Sequence, residues 1–180
     1  MAIEFLDQNP EYLCVGFPEH DLRAKKYSSW TFTIRNNKHA ICGSKVPLNG
    51  FTIINDIKFL HSVDIVENCA MFRTRMFKDN KLGWDERMII EKEHLDFYLT
   101  LKEKHPELKV AMCVNVFYKH DKESLEDKWY QNDRHGKYSK ISANVFKQKW
   151  GKTEDPKTVW YHNIFNDHPK LLEGVEIYEV

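Results

Sequence analysis

Apolar and polar residues alternate with a period of two through Trp30, Thr31, Phe32, Thr33, Ile34 and Arg35. That spacing predicts a strand with one face in a core and the other in water. Asn36 and Asn37 read as the turn of a hairpin, with residues 39–42 as the returning strand. Upstream, residues 12–17 form a short apolar run stopped by Pro18. Downstream, Pro47 and Gly50 punctuate the chain before the strand-like residues 51–54. The next run places Phe59, His61, Val63 and Ile65 on one face. After Asn68 the same period predicts a strand through Met71, Arg73 and Arg75, with both arginines on one sheet face.

The period changes at residue 84. Residues 84–104 contain neither Gly nor Pro, are rich in good helix formers, and end before Pro106. Asp79 or Asn80 is positioned to start this helix. At ~100° per residue, Trp84, Met88, Leu95, Tyr98 and Leu99 share a stripe that Ile90, Phe97 and Leu101 widen. Residues 108–118 are almost wholly apolar, as in a strand buried on both faces and therefore central to its sheet. Val110, Met112, Val114 and Val116 would face one way, and Ala111, Cys113 and Phe117 the other. From residue 119 the chain is polar with scattered aromatics. Ser124 and Ser142 read as N-caps of short helices, Gly151 as a helix stop, and Val175, Ile177 and Tyr178 as a terminal strand.

These elements predict a single α+β domain over residues 1–180. A mostly antiparallel sheet packs on one long helix, 84–104, with a smaller irregular helical C-terminal region and a change of character near 119–121. A chain of 180 residues buries about 70% of its unfolded surface on folding, enough for a core without cross-links.

Charge narrows the partner classes. Lys and Arg together number 27, as do Asp and Glu, so any electrostatic function must come from local asymmetry. Cys14, Cys42, Cys69 and Cys113 lie far apart without a C-x-x-C pair, which argues against a structural zinc site and a disulfide framework. They read as free thiols of a cytoplasmic protein. The first residues lack a basic stretch followed by an apolar one, and no window has the ~18–20 apolar residues of a membrane span. No cofactor motif is present: there is no P-loop, G-x-G-x-x-G, G-x-S-x-G or H-E-x-x-H.

The strongest local asymmetry is a basic segment. Arg134, Lys137, Lys140, Lys147, Lys149 and Lys152 follow one another with no intervening acid, interleaved with Tyr138, Phe146 and Trp150. Cationic side chains neutralise phosphates and aromatic faces stack on unpaired bases, a combination suited to single-stranded nucleic acid. The same pattern also describes a solvated helix anchored to the core by Phe146 and Trp150, four residues apart.

Histidine and carboxylate supply the other candidates. Glu91 and His94 fall three apart within the apolar arc of 84–104, where an E-x-x-H pair serves as metal ligand or acid/base pair. His61, on an apolar face near Asp64, is either a hydrogen-bonded core residue or part of a hydrolytic centre. Tyr161, His162 and Asn163, with Asn166, Asp167 and His168, have the residue content of a ββα-metal nuclease without its hairpin or cysteine knuckles.

The strand at Trp30 is similar to the first strand motif of rolling-circle replication initiators. The paired histidines and the tyrosine-bearing helix of that family do not follow. In its abundance of Lys, Asn and aromatics within an acid-balanced chain, the sequence resembles small accessory proteins of large phages. The leading expectation is a non-enzymatic binding or accessory protein with a protein or single-stranded nucleic-acid partner. The alternative is a metal-dependent phosphodiesterase or nuclease built on Glu91, His94, His61 and Asp64.

Overall fold

The computed structural model describes residues 1–21, 26–28, 33–37, 40–44, 50–66, 69–120, 128–151, 164–173 and 176–179. Within them the chain is a mixed α+β structure with mostly antiparallel strand pairing. Trp30, Thr31, Phe32, His39, Pro47, Asn68, Ser124 and Val175 lie outside the described residues.

Five strands form the main sheet: β1 (Tyr12–Gly16), β6 (Phe51–Ile54), β7 (Ile57–Val63), β8 (Ala70–Phe72) and β9 (Lys109–Cys113), in the order β6-β7-β9-β1-β8. β9 is central, as its two-sided apolar pattern requires. It runs parallel to β1 and antiparallel to β7. A second sheet has the order β11-β10-β2-β3, from β2 (Glu19–Asp21), β3 (Lys26–Ser28), β10 (Val116–His120) and β11 (Tyr178–Glu179). The predicted hairpin is present as β4 (Thr33–Asn37) against β5 (Ala40–Ser44). Asn36 and Asn37 belong to β4 rather than to the turn, since they pair with Ile41 and Ala40.

Residues 108–118 are two strands, not one. β1 and β9 both break, at Phe17–Pro18 and Val114–Asn115, and resume side by side as the parallel pair β2 and β10. The break reverses the side-chain phase. Val110, Met112 and Val114 pack in one core, whereas Val116 joins Ala111 and Cys113 in the other, and Phe117 returns to the first. Asn115 makes the break tolerable. Fully buried, it accepts from Lys58 N–H at 2.9 Å and donates to the carbonyls of Asp56 (2.9 Å) and Glu176 (3.0 Å). One amide thus ties the Asn55–Asp56 hairpin turn, with φ of 48° and 64° as a two-residue turn demands, to the C-terminal segment.

The two cores occupy opposite faces of the main sheet, as the alternation along β9 requires. Helix α1 (Ala2–Gln8), which the sequence pattern did not reveal, covers one face with Phe5 and Leu6. Helix α3 (Glu93–Lys104) covers the other with Leu95, Phe97, Tyr98, Leu99 and Leu101. At Gly16 an added Cβ would stand 2.3 Å from Val66 Cβ, so only glycine lets residue 66 approach β1.

Several expectations are corrected. The helix assigned to 84–104 is regular only from Glu93. Glu91 and Lys92 have φ of 59° and 63°, a left-handed conformation that no α-helix propagates. Residues 84–92 instead form an irregular segment, with Trp84 stacked on Phe77 and Phe97. Arg73 and Arg75 do not share a strand face, because β8 ends at Phe72 and helix α2 (Thr74–Asp79) follows. Asp79 therefore closes a helix instead of opening one. Arg73 fastens α1 to β1: its guanidinium donates to the carbonyl of Leu6 and, at 3.4 Å, to that of Tyr12.

The C-terminal region is also more regular than expected. Helix α4 (Lys128–His135) leads into α5 (Lys137–Trp150), the 14-residue helix that exceeds the 12 residues of α3. Ser142 is not a cap. It lies inside α5, buried, and its Oγ accepts the N–H of Ile90 at 3.2 Å. Gly151 does end the helix, with φ of 75°.

Candidate functional site

Helix α5 has two faces of different chemistry. On a ~100° per residue projection, Lys137, Lys140, Asn144 and Lys147 fall within about 80° of arc, and all four are exposed. The opposite side holds Ser142 and Phe146, both buried, with Tyr138 and Trp150 half-buried. Lys137, Lys140 and Lys147 make no ion pair with a described residue. On the preceding helix, Trp129 is 72% exposed, unusual for so large an apolar side chain.

The remaining members of the predicted basic segment have other duties. Lys149 Nζ lies 2.8 and 2.9 Å from the two oxygens of Asp96, 3.1 Å from Thr100 Oγ1 and 3.8 Å from Asp85. Trp150 Nε1 donates to Asp96 at 2.7 Å. These bonds hold the last turn of α5 against α3, so neither residue is an open contact point. Arg134 belongs to α4, and Lys152 lies outside the described residues. Asp96 itself escaped the sequence reading. At ~100° per residue Asp96 falls on the polar side of the helix, outside the arc of Trp84 to Leu101, so the pattern gave no signal of its burial.

The four histidine and carboxylate candidates do not form one constellation. Glu91 precedes α3, so the i, i+3 geometry of a single helix face does not apply to it and His94. Its Oε2 accepts from Ser139 Oγ at 2.8 Å. His94 faces Glu93 at 3.4 Å, and burial pushes its pKa down.

His61 and Asp64, however, share one cleft. Together with Val63 they form one wall of a surface cleft of about 360 Å³. Tyr98, Leu101 and Lys102 of α3 contribute a second wall, with Pro106, Leu108, Lys109 and Val110 completing it. Lys102 Nζ stands 2.5 Å from Asp64, and Lys109 Nζ 3.5 Å from Glu11.

His61 is held at both ring nitrogens. Nδ1 is 2.5 Å from Tyr12 Oη and Nε2 is 2.7 Å from Thr52 Oγ1. Burial lowers its pKa, against the pull of Glu11, so the ring is neutral at neutral pH. A neutral imidazole with both nitrogens committed holds a position; it is not poised to move a proton to a substrate.

The buried thiols are equally quiescent. Burial raises Cys14 to about 12 and Cys113 to about 11, far above the range of a nucleophilic cysteine. Among the described residues, no group of three or more His, Cys, Asp or Glu side chains is placed to hold a metal ion.

No protein-family model, curated protein or solved structure matches this chain. Chemistry at these two sites therefore stands on the geometry alone. Among the described residues, no helix is long and apolar enough to cross a membrane.

Proposed function

We propose that the chain is a non-enzymatic binding or accessory protein that engages single-stranded nucleic acid through the exposed face of α5. The observation that carries this reading is the clustering of Lys137, Lys140 and Lys147 on one exposed helix face without a described carboxylate partner. Ammonium groups at helical spacing meet successive phosphates, and an exposed aromatic such as Trp129 offers a stacking face. The inner face of the same helix is pinned by the Asp96 bonds, which keep the lysine row in a fixed orientation.

The hydrolase alternative draws less support. It needs His61, Asp64, Glu91 and His94 around one reacting centre. The cleft contains only His61 and Asp64 of that set, and both His61 nitrogens are committed.

The test is fluorescence anisotropy with a labelled single-stranded oligonucleotide. The triple variant Lys137→Gln, Lys140→Gln, Lys147→Gln should lose most of the affinity. A control triple at the exposed residues Lys78, Lys104 and Lys170 should not. Equal loss in both, or in neither, contradicts the assignment and favours a protein partner.

A further inference from the structure

We infer that β6, an edge strand of the main sheet, pairs with β6 of a second copy of this chain about a two-fold axis at Thr52, a contact separate from the α5 face.

The first observation is where the backbone of β6 points. The N–H of His61 donates to the carbonyl of Gly50 at 3.1 Å, and the register sets Phe51 opposite Leu60, Thr52 opposite Phe59, Ile53 opposite Lys58 and Ile54 opposite Ile57. Hydrogen-bonded and non-hydrogen-bonded pairs alternate along an antiparallel ladder. Gly50, Thr52 and Ile54 therefore bond inward to β7, and the N–H and C=O groups of Phe51 and Ile53 point to the outer edge. β6 ends the strand order, so no described strand pairs with it there. Edges that must stay single are blunted by lysine, proline or a bulge. Phe51, Thr52, Ile53 and Ile54 include neither residue, and their ladder to β7 has no register shift.

The second observation is what the same two residues expose. Phe51 is 37% and Ile53 61% exposed, and, two apart, they share one face of the sheet. A second copy fits because the strand is complementary to itself. In an antiparallel pair centred on Thr52, Phe51 lies opposite Ile53 of the second copy, and Ile53 opposite its Phe51. Both are hydrogen-bonded pairs, so every outward N–H and C=O of the two residues is satisfied in both copies. No other two-fold register within these four residues does this. Each Phe51 then packs on an Ile53, an aromatic with a β-branched side chain, which is a favourable cross-strand pair. Residues 50–54 carry no charge, so no charge opposes its like across the axis. An unrelated strand would need a matching sequence, whereas an isologous contact is matched by symmetry. Two such pairs bury far less than the ~1,200 Å² of stable complexes, so the dimer is transient, with Kd on the order of 100 µM.

The experiment is sedimentation velocity of the full chain from about 10 µM to about 1 mM, with amide hydrogen exchange at both ends of that range. The sedimentation coefficient should rise with concentration towards that of a dimer. The amides of Phe51 and Ile53 should gain protection at the high end, and that of Thr52, already bonded to β7, should change least. Ile53→Lys, at an exposed side chain, should keep the circular dichroism of the unmodified chain and stay monomeric. Met71→Lys, on the opposite edge strand β8, should still dimerise. A monomer at every concentration, a dimer in which Phe51 and Ile53 stay unprotected, or a dimer that survives Ile53→Lys would overturn the inference. Should Ile53→Lys not fold, hydrogen exchange of the unmodified chain decides by itself. Oligonucleotide binding by α5 is measured separately at low protein concentration, so failure of either reading leaves the other standing.

Discussion

Asp96 accepts the indole N–H of Trp150 at 2.7 Å and the ammonium of Lys149 at 2.8 Å, although the carboxylate is only 2% exposed. A buried carboxylate is tolerated only when its lone pairs are filled. Two consecutive residues at the end of α5 fill them here. They are also the residues that, in sequence, looked like part of an open binding surface.

Removing Asp96 should therefore loosen the whole of α5. Asp96→Ala strands a partly buried ammonium and an indole N–H, and is expected to cost about 2–4 kcal/mol. Trp150→Phe removes one bond and should cost about 1–2 kcal/mol. Urea unfolding followed by circular dichroism checks both values and their order.

Asn115 is the second polar keystone. Asn115→Ala leaves the Lys58 N–H and two carbonyls without their partner and is expected to destabilise by about 2–4 kcal/mol. Asn115→Asp should be worse at neutral pH, because an oxygen then faces the carbonyls of Asp56 and Glu176. Thermal unfolding of both variants ranks them.

Gly16→Ala should be strongly destabilising, since the new methyl would stand 2.3 Å from Val66 Cβ. Val66→Gly in the same chain removes the clash. The double variant should be more stable than the sum of the single effects predicts, a non-additivity read from a double-mutant cycle.

Burial depresses the pKa of both His61 and His94 below the ordinary 6.5. The unfolded chain is then protonated first as the medium acidifies. Their contribution to stability is complete above pH 6.5 and is lost as pH falls from there towards their folded-state values. Chemical denaturation at about pH 7.5 and about pH 5.5 should show this loss, and it should be smaller in His61→Asn and His94→Gln. Asp85, held at about 2 mainly by the Arg87 hydrogen bond, titrates in a separate, more acid window.

Local pattern carried much of the framework. Strands at Thr33–Asn37 and Ile57–Val63, the two-sided apolar β9 and the later part of the predicted helix, α3, lie within the stretches that their patterns mark, but Phe59, Val63 and Ile65 do not share one face: Phe59 enters the α1-side core and Val63 and Ile65 the α3-side core. What failed was information that local pattern does not contain. Glu91 and Lys92 are ordinary helix formers, and only their left-handed φ stops the helix. Asn115 interrupts an apolar run and flips its phase because three backbone partners from distant segments converge on it. The register shifts of β1 and β7 against β9 are properties of paired strands. In the candidate site, the lysine row of α5 was legible from spacing. The sorting of Lys149 and Trp150 onto the inner face was not, because it depends on a carboxylate more than fifty residues away in sequence.

The most direct test of the α5 assignment is the salt dependence of oligonucleotide affinity. If Lys137, Lys140 and Lys147 each neutralise a phosphate, log K should fall with log salt concentration with a slope of about −2, at ~0.7 per contact on a single strand. The triple glutamine variant should bring that slope close to zero. A flat response in the unmodified protein, or an unchanged slope in the variant, would contradict the account.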